Sequence, residues 1–331
     1  MDEINQRYAC GFPFTDGAVL VAREKTYLFT DSRYIEAAEK SINKDICLQM
    51  FGVGARLSSL INNALEECGV ENLGAEEESL PYSDYICFEG LLNAKLVPAQ
   101  SIFTELRAAK SAEEQGYMRE AQKIAELAFK DVLKIIKPGV SERDIAAEIT
   151  YRLLKHGAEG NSFDPIAVTG VNSSMPHGVP GDTIVKKGDF VTMDFGCVAE
   201  GYCSDMTRCL RPRNRRRGLY DRVYALVRAA NAAAIAAARP GITGKALDRV
   251  ARLLIRKGGF GKCFGHSLGH GVGLEIHEAP YASTKSTWTL KPGMLITIEP
   301  GVYLEGNLGV RIEDLVLITE TGCEVLSHSE K

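Results

Sequence analysis

The chain has 331 residues, 45% of them apolar and 25% charged, and its 39 basic against 43 acidic side chains leave a net charge of −4. A balance this even argues against nucleic acid or an anionic membrane as the main partner, and no apolar run approaches the ~18 residues of a membrane helix. Residues 1–7 are polar and carry no signal-peptide core, so a cytoplasmic location is expected.

In chain order, residues 17–31 read as two short strands, AVLVA and TYLFT, joined by a polar turn at 23–25. A helix follows from about Arg33. Residues 58–68 carry apolar side chains at helical spacing and stop at Gly69. Residues 70–73 and 96–97 read as further short strands, so residues 1–108 form a small α/β domain. The sequence Ser111-Ala-Glu-Glu114 is a capping box. It opens a long amphipathic helix expected to run through Ile136, closed by Lys137-Pro138-Gly139. A larger domain, 109–331, starts here. Nine scattered cysteines without a CxxC pair read as reduced thiols and small buried hydrophobes. The basic run RPRNRRR (211–217) reads as a solvated loop.

The larger domain contains an internal repeat. Residues 138–157 (PGVSERDIAAEITYRLLKHG) match 240–259 (PGITGKALDRVARLLIRKGG) at an offset of 102. Further on, KKGDFVTMDFG (186–196) matches LKPGMLITIEPG (290–301), which pairs Asp194 with Glu299 at an offset of 105. A second strand is expected in each half, carrying Asp205 and Glu313, 108 apart. Two ordered matches at nearly constant offset imply two related α+β halves facing each other.

The repeat thus supplies four carboxylates in two equivalent pairs, set among Val, Met, Ile and Phe. A buried carboxylate without a partner is expensive and takes up a proton instead. Four converging on one point repel, and divalent cations are the simplest compensation. Histidine use agrees. Of six histidines, His266, His270 and His277 lie within GHSLGHGVGLEIHE, and His177 lies in MPHG ahead of the first acidic strand. Four carboxylates with one or more imidazoles and no cysteine suit Mn²⁺, Fe²⁺, Co²⁺ or Zn²⁺. Two such ions commonly sit ~3.5–4 Å apart and share a water that becomes the nucleophile. Arg311, two residues before Glu313, would share its strand face and orient a carboxylate ligand.

The chain resembles the M24 "pita-bread" metallopeptidases, and within them the Xaa-Pro group, aminopeptidase P and prolidase. The resemblance rests on MPHG (175–178), MDFG (193–196), YCSDMTR (202–208), GHSLGHGVGLEIHEAP (265–280), TIEPGVY (297–303) and RIEDLVLIT (311–319). FTDSRY (29–34) and the KSAEE start (110–114) are similar to the family's N-terminal domain and its junction. The resemblance implies an α+β fold. A pita-bread catalytic domain of two pseudo-symmetric halves follows a creatinase-like N-terminal α/β domain, here beginning later than is usual in the family.

It also implies roles. Asp194 would chelate one metal ion, Asp205 and Glu313 would bridge two, and His270 and Glu299 would complete the second. His177, His266 and His277 would line the catalytic pocket, with His266 at the carbonyl oxygen and His277 and His177 at the scissile bond and the proline. Glu299 would shuttle a proton to the leaving proline nitrogen, and Arg311 and Tyr303 would stand near the metals. The implied cofactors are two divalent ions, Mn²⁺ foremost. The implied reaction is hydrolysis of the bond between an N-terminal residue and a following proline by a metal-bridging hydroxide, in a cytoplasmic homodimer. A methionine aminopeptidase shares the fold, but the first hundred residues and the HEAP (277–280) context argue against it. A non-catalytic binding module of this fold would be expected to have lost ligands, and all five are present.

Overall fold

A computed structural model describes residues 2–210 and 218–331, so the basic run at 211–217 lies outside the described residues. The chain divides into two compact units, Met1–Leu106 and Arg107–Lys331. No helix among the described residues is long and apolar enough to cross a membrane.

The first unit opens with α1 (Glu3–Cys10), followed by β1 (Gly17–Val21), β2 (Thr26–Thr30), α2 (Ile35–Ser41) and β3 (Ile46–Met50). Then come α3 (Leu57–Cys68), β4 (Asn72–Ala75), α4 (Tyr82–Leu91), β5 (Lys95–Pro98) and α5 (Gln100–Ala108), whose last residues belong to the second unit. β1 and β2 form the expected hairpin, and β3 joins β2 in parallel. β4 and β5 make a separate parallel pair. The core is Leu20, Tyr27, Phe29, Ile61 and Leu65, the inward faces of β1, β2 and α3. Gly69 ends α3 in the left-handed region, as the sequence predicted. Residues 70 and 71 are not strand; the fourth strand starts at Asn72.

The second unit is built twice over. Its first half holds α6 (Ala112–Val132), α7 (Glu142–Lys155), β6 (Gly160–Asn161), β7 (Ile166–Thr169), β8 (Val191–Phe195), β9 (Cys197–Ala199), β10 (Tyr202–Cys203) and β11 (Met206–Leu210). Its second half holds α8 (Leu219–Ala237), α9 (Gly244–Lys257), β12 (Gly269–Gly271), β13 (Glu278–Ala282), β14 (Leu295–Ile298), β15 (Gly301–Leu304), β16 (Leu308–Arg311), β17 (Asp314–Ile318) and β18 (Cys323–Val325). The sheet order β7–β8–β11 in one half matches β12–β14–β17 in the other, all antiparallel. The helices α7 and α9, both 14 residues long, are the repeated segments.

The capping box at Ser111 and Glu114 forms as predicted, but α6 ends at Val132, four residues before Ile136. Beyond Leu133 the backbone tightens into three-residue turns, with Lys134 N–H on Asp131 C=O and Ile135 N–H on Val132 C=O. Pro138 follows; it lacks an N–H and disfavours helical backbone at the residue before it.

Each half has its own core of two helices against a sheet. In the first, Ile124, Phe129, Ile145 and Ile149 pack on Met193, Phe195 and Met206. In the second, Val223, Val227, Leu247 and Ile255 pack with Ile296, Ile298 and Val316. Strand side chains alternate faces. Met193 and Phe195 therefore turn to the helices while Thr192 and Asp194 turn away, and Ile296 and Ile298 do the same while Thr297 and Glu299 turn away. The faces left over meet at a seam where β11 runs beside residues 311–313. There Glu313 N–H bonds Thr207 C=O at 3.2 Å and the Cys209 thiol bonds Arg311 C=O at 3.2 Å.

Arg208 locks this seam. Its fully buried guanidinium donates to Thr207 C=O at 3.0 Å, Glu313 C=O at 2.5 Å, Ser329 C=O at 3.1 Å and the Asp314 carboxylate at 3.0 Å. Removing one partner of a buried pair leaves its charge uncompensated. Arg208→Met is expected to cost about 3 kcal/mol, the lower end of the range for breaking a buried pair because Lys331 also pairs with Asp314. It would be read as a lower urea midpoint at unchanged slope.

Candidate metal centre

The seam gathers the acids that the sequence singled out. Asp194 lies in β8, opposite Thr207 of β11. Asp205 lies one residue before β11, Glu299 one residue after β14 and Glu313 one residue before β17. Three of the four acids thus stand at strand ends rather than inside strands, where the ladder releases the backbone and the carboxylates can converge. His270 sits in β12. Ligand atoms of Asp205, His270 and Glu313 all lie within 4.8 Å of one another. His270 Nε2 is 3.7 Å from Asp205 Oδ2 and 3.4 Å from Glu299 Oε1. These separations are long for hydrogen bonds. They suit atoms that share an ion at bond lengths of about 2.0–2.2 Å.

Backbone geometry delivers His270 to this place. A Cβ on Gly269 would come within 1.9 Å of Thr297 C=O, so only glycine lets β12 lie this close to β14. The His270 Nδ1–H donates to Gly271 C=O at 3.1 Å, which leaves Nε2 bare and facing the acids.

Two threonines and one arginine orient the carboxylates. Thr207 donates to Glu313 Oε2 at 2.6 Å and accepts from Arg311 Nε at 3.1 Å. Thr297 donates to Glu299 Oε1 at 3.3 Å and accepts from the His270 N–H at 3.1 Å. Arg311 gives Nη2 to Asp194 Oδ2 at 2.5 Å and Nη1 to Tyr303 OH at 2.6 Å and Pro176 C=O at 3.1 Å. The sequence expectation placed Arg311 on the face of Glu313. The strand breaks after Arg311, and its guanidinium crosses the seam to bond the Asp194 carboxylate. The two threonines were missed. Their signal was the period of two, since Thr207 follows Asp205 by two residues and Thr297 precedes Glu299 by two.

The pocket histidines stand around this cluster. The His266 Nδ1–H donates to Ser267 C=O at 2.8 Å, so its Nε2 accepts from Tyr303 OH at 3.2 Å. The His277 ring packs edge-on against His270 with centroids 4.2 Å apart. His177 is exposed and follows Pro176, whose carbonyl Arg311 holds. Burial lowers both His266 and His277, and repulsion from His177 adds to each.

Electrostatically the cluster is short of positive charge: among the described residues the four acids have one bonded guanidinium, that of Arg311. Burial, and then repulsion from Asp194 and Glu299, hold Asp205 well above the usual carboxylate range. Burial and the other three acids do the same to Glu313. Burial pushes Glu299 up to about 8, with Arg311 opposing and Asp194 adding. Burial pushes His270 and His266 down to about 4. Asp194 Oδ1 is buried without a hydrogen-bond partner. An oxygen-rich set with one bare imidazole nitrogen, an orphaned carboxylate oxygen and acids that resist ionisation fits divalent cations.

Residues 116–320 match metallopeptidase family M24, and residues 1–109 match the creatinase/prolidase N-terminal domain. A Xaa-Pro dipeptidase of Pyrococcus horikoshii is 36% identical, over 96% of this chain and 88% of its own length. The structure of a Xaa-Pro dipeptidase from Bacillus anthracis superposes with a TM-score of 0.94 at 37% identity, covering 100% of this chain and 92% of the other. An X-Pro aminopeptidase from Thermotoga maritima superposes at 0.93 with 34% identity, over 99% and 92%. With both domains matched over nearly its whole length, the chain belongs to metallopeptidase family M24 and carries a creatinase/prolidase N-terminal domain.

Proposed function

We propose that this protein releases the N-terminal residue from peptides with proline in second position, as a Xaa-Pro aminopeptidase or dipeptidase. Residues 109–331 serve as its catalytic domain and 1–108 as its creatinase-like N-terminal domain. The observation that carries this reading is the convergence of Asp205, His270 and Glu313 on one point, with Glu299 against His270. The dipeptidase and aminopeptidase relatives support the substrate class. In this reading Asp194 would hold one ion, Asp205 and Glu313 would be shared by both, and His270 and Glu299 would complete the second site, with Mn²⁺ favoured over Co²⁺, Zn²⁺ and Fe²⁺. The working protein is a cytoplasmic homodimer.

When bound, two such ions supply an ionised water near neutral pH and polarise the scissile carbonyl. The side chains of this chain do the rest. Glu299, only partly buried, holds a proton for the leaving nitrogen. The Xaa-Pro nitrogen is a tertiary amide that must be protonated to depart. His266, through Nε2, would stabilise the scissile carbonyl oxygen. Its ring accepts there from Tyr303, so carrying an oxyanion requires a proton on Nε2. His177 and His277 flank the scissile bond and the proline ring. Arg311 fixes Asp194, Tyr303 and the Pro176 carbonyl in one fork.

Chelation is expected to abolish hydrolysis of Ala-Pro and of a longer Xaa-Pro peptide, and Mn²⁺ to restore it; turnover that survives exhaustive chelation would refute the reading. Loading should also raise thermal stability, by about 2.7 kcal/mol at a hundredfold excess over Kd. Asp205→Asn should lose at least one ion by elemental analysis, and a variant that keeps both would refute bridging. Thr207→Val removes the hydroxyl between Arg311 and Glu313 and is expected to weaken metal binding about 10–100-fold, measured by titration against a chelator of known affinity.

A further inference from the structure

A second buried charge cluster lies outside the acid site. Glu278 is 7% exposed. Its Oε1 accepts from Lys110 Nζ at 2.5 Å and its Oε2 from Arg107 Nη2 at 2.6 Å. Arg107 Nη2 also reaches Glu275 Oε2 at 2.6 Å. Two cations and two carboxylates balance, with Lys110 and Arg107 only 4% and 6% exposed. The Glu278 carboxylate is also the hub around which its own loop folds. The Glu275 N–H points to Oε2 at 3.4 Å, and a Cβ on Gly273 would lie 2.2 Å from Oε1. The same loop is tied from the other side by the Cys203 N–H on Gly273 C=O at 2.7 Å.

This loop carries His277, the residue next to Glu278. The pairing of β12 with β13 slips here: His270 faces Tyr281 while Gly271 faces Glu278. Such a bulge re-aims side chains. It turns the Glu278 carboxylate inward to the two cations and leaves the His277 ring exposed, edge-on against His270. Among the described residues no side chain hydrogen-bonds His277, so the loop backbone sets its position.

We propose that Lys110, Arg107 and Glu278 form a positioning clamp that holds the His277 ring at the substrate side of the metal centre. The inference rests on the reading of His277 as a substrate contact. None of the three touches substrate; they act through the backbone of residues 272–278. Displacements of about 1 Å at such a contact cost up to ~10²-fold in rate.

The test compares Glu278→Gln with the charge-balanced pair Lys110→Met/Glu278→Gln, which leaves Arg107 with Glu275 and so guards against simple misfolding. Six histidines make a ¹³C-histidine spectrum of the Zn²⁺-loaded protein readable, with His277→Asn assigning its own peak. In both variants the His277 resonance should shift while those of His156 and His328 stay in place. An unmoved His277 peak in folded protein overturns the proposal whatever the activity. On Ala-Pro with Mn²⁺, kcat/KM should fall about tenfold or more with two ions still bound. In a His277→Asn background the same substitution should cost less than twofold. Equal losses in both backgrounds would mean that the cluster does not work through His277. A His277→Asn enzyme with full activity would instead sink the substrate-contact reading, leaving the spectroscopic result to judge the clamp alone.

Discussion

Four carboxylates gathered at the seam, three of them buried and Glu299 partly so, constrain the rest of the catalytic unit. Each alone would be costly to desolvate, and together they repel. Among the described residues, Arg311 is the cation bonded to one of them, through Asp194. The remaining cost is met by hydroxyl donors, Thr207 to Glu313 and Thr297 to Glu299, and by leaving room for positive charge. Arg208 plays no part in that chemistry, yet it sutures the backbone of Thr207 and Glu313, the residues on which the orientation of one acid depends.

Duplication explains how such a site could be assembled. A helix pair over an antiparallel sheet turns one strand face to its core and leaves the other for a partner. Two copies face to face then bring two polar strand faces together. The copies are not identical in register. In the second half Ile298 faces Asp314, which sets Glu299 and Glu313 at matching levels just beyond the ladder. In the first half Asp194 faces Thr207, so Asp205 stands two residues further on. That slip places a hydroxyl, rather than a second acid, opposite Asp194. It also gives Arg311 an anchor, Thr207, from which to reach across. The halves differ most beside β12, the counterpart of β7 that carries His270: there the second half adds the bulged β13, which follows His277.

Much of this was legible in the sequence. The repeat was visible because both copies kept Pro-Gly stops, helix lengths and an acid among apolar residues. The capping box at Ser111 and the stop at Gly69 are local effects, and they formed as read. What failed was whatever depended on where strands end. Alternation sets the acids at 205, 299 and 313 inside strands and Arg311 on the strand face of Glu313, where the structure has strand ends and a guanidinium turned to Asp194. Alternation holds only while the ladder continues, and it breaks between Arg311 and Asp314. Glu278 lies within the HEAP segment (277–280), and nothing local in the sequence points to its role. Its partners Arg107 and Lys110 lie 171 and 168 residues away, and no local pattern links them.

The directions of the pKa shifts identify what the site is built to receive. Burial raises Asp205, Glu299 and Glu313 and lowers His270. Both follow from one cause, since a low dielectric disfavours charge of either sign. An ion pair between His270 and Asp205 or Glu299 would need the imidazole charged, and at neutral pH it is not. The contacts at 3.7 and 3.4 Å are therefore not salt bridges. An anion would worsen the repulsion. A divalent cation alone improves every term: it makes ionised carboxylates favourable, takes the bare Nε2 lone pair without asking for a proton, and gives Asp194 Oδ1 the partner it lacks. The neutral imidazole is thus as much part of the fit as the acids.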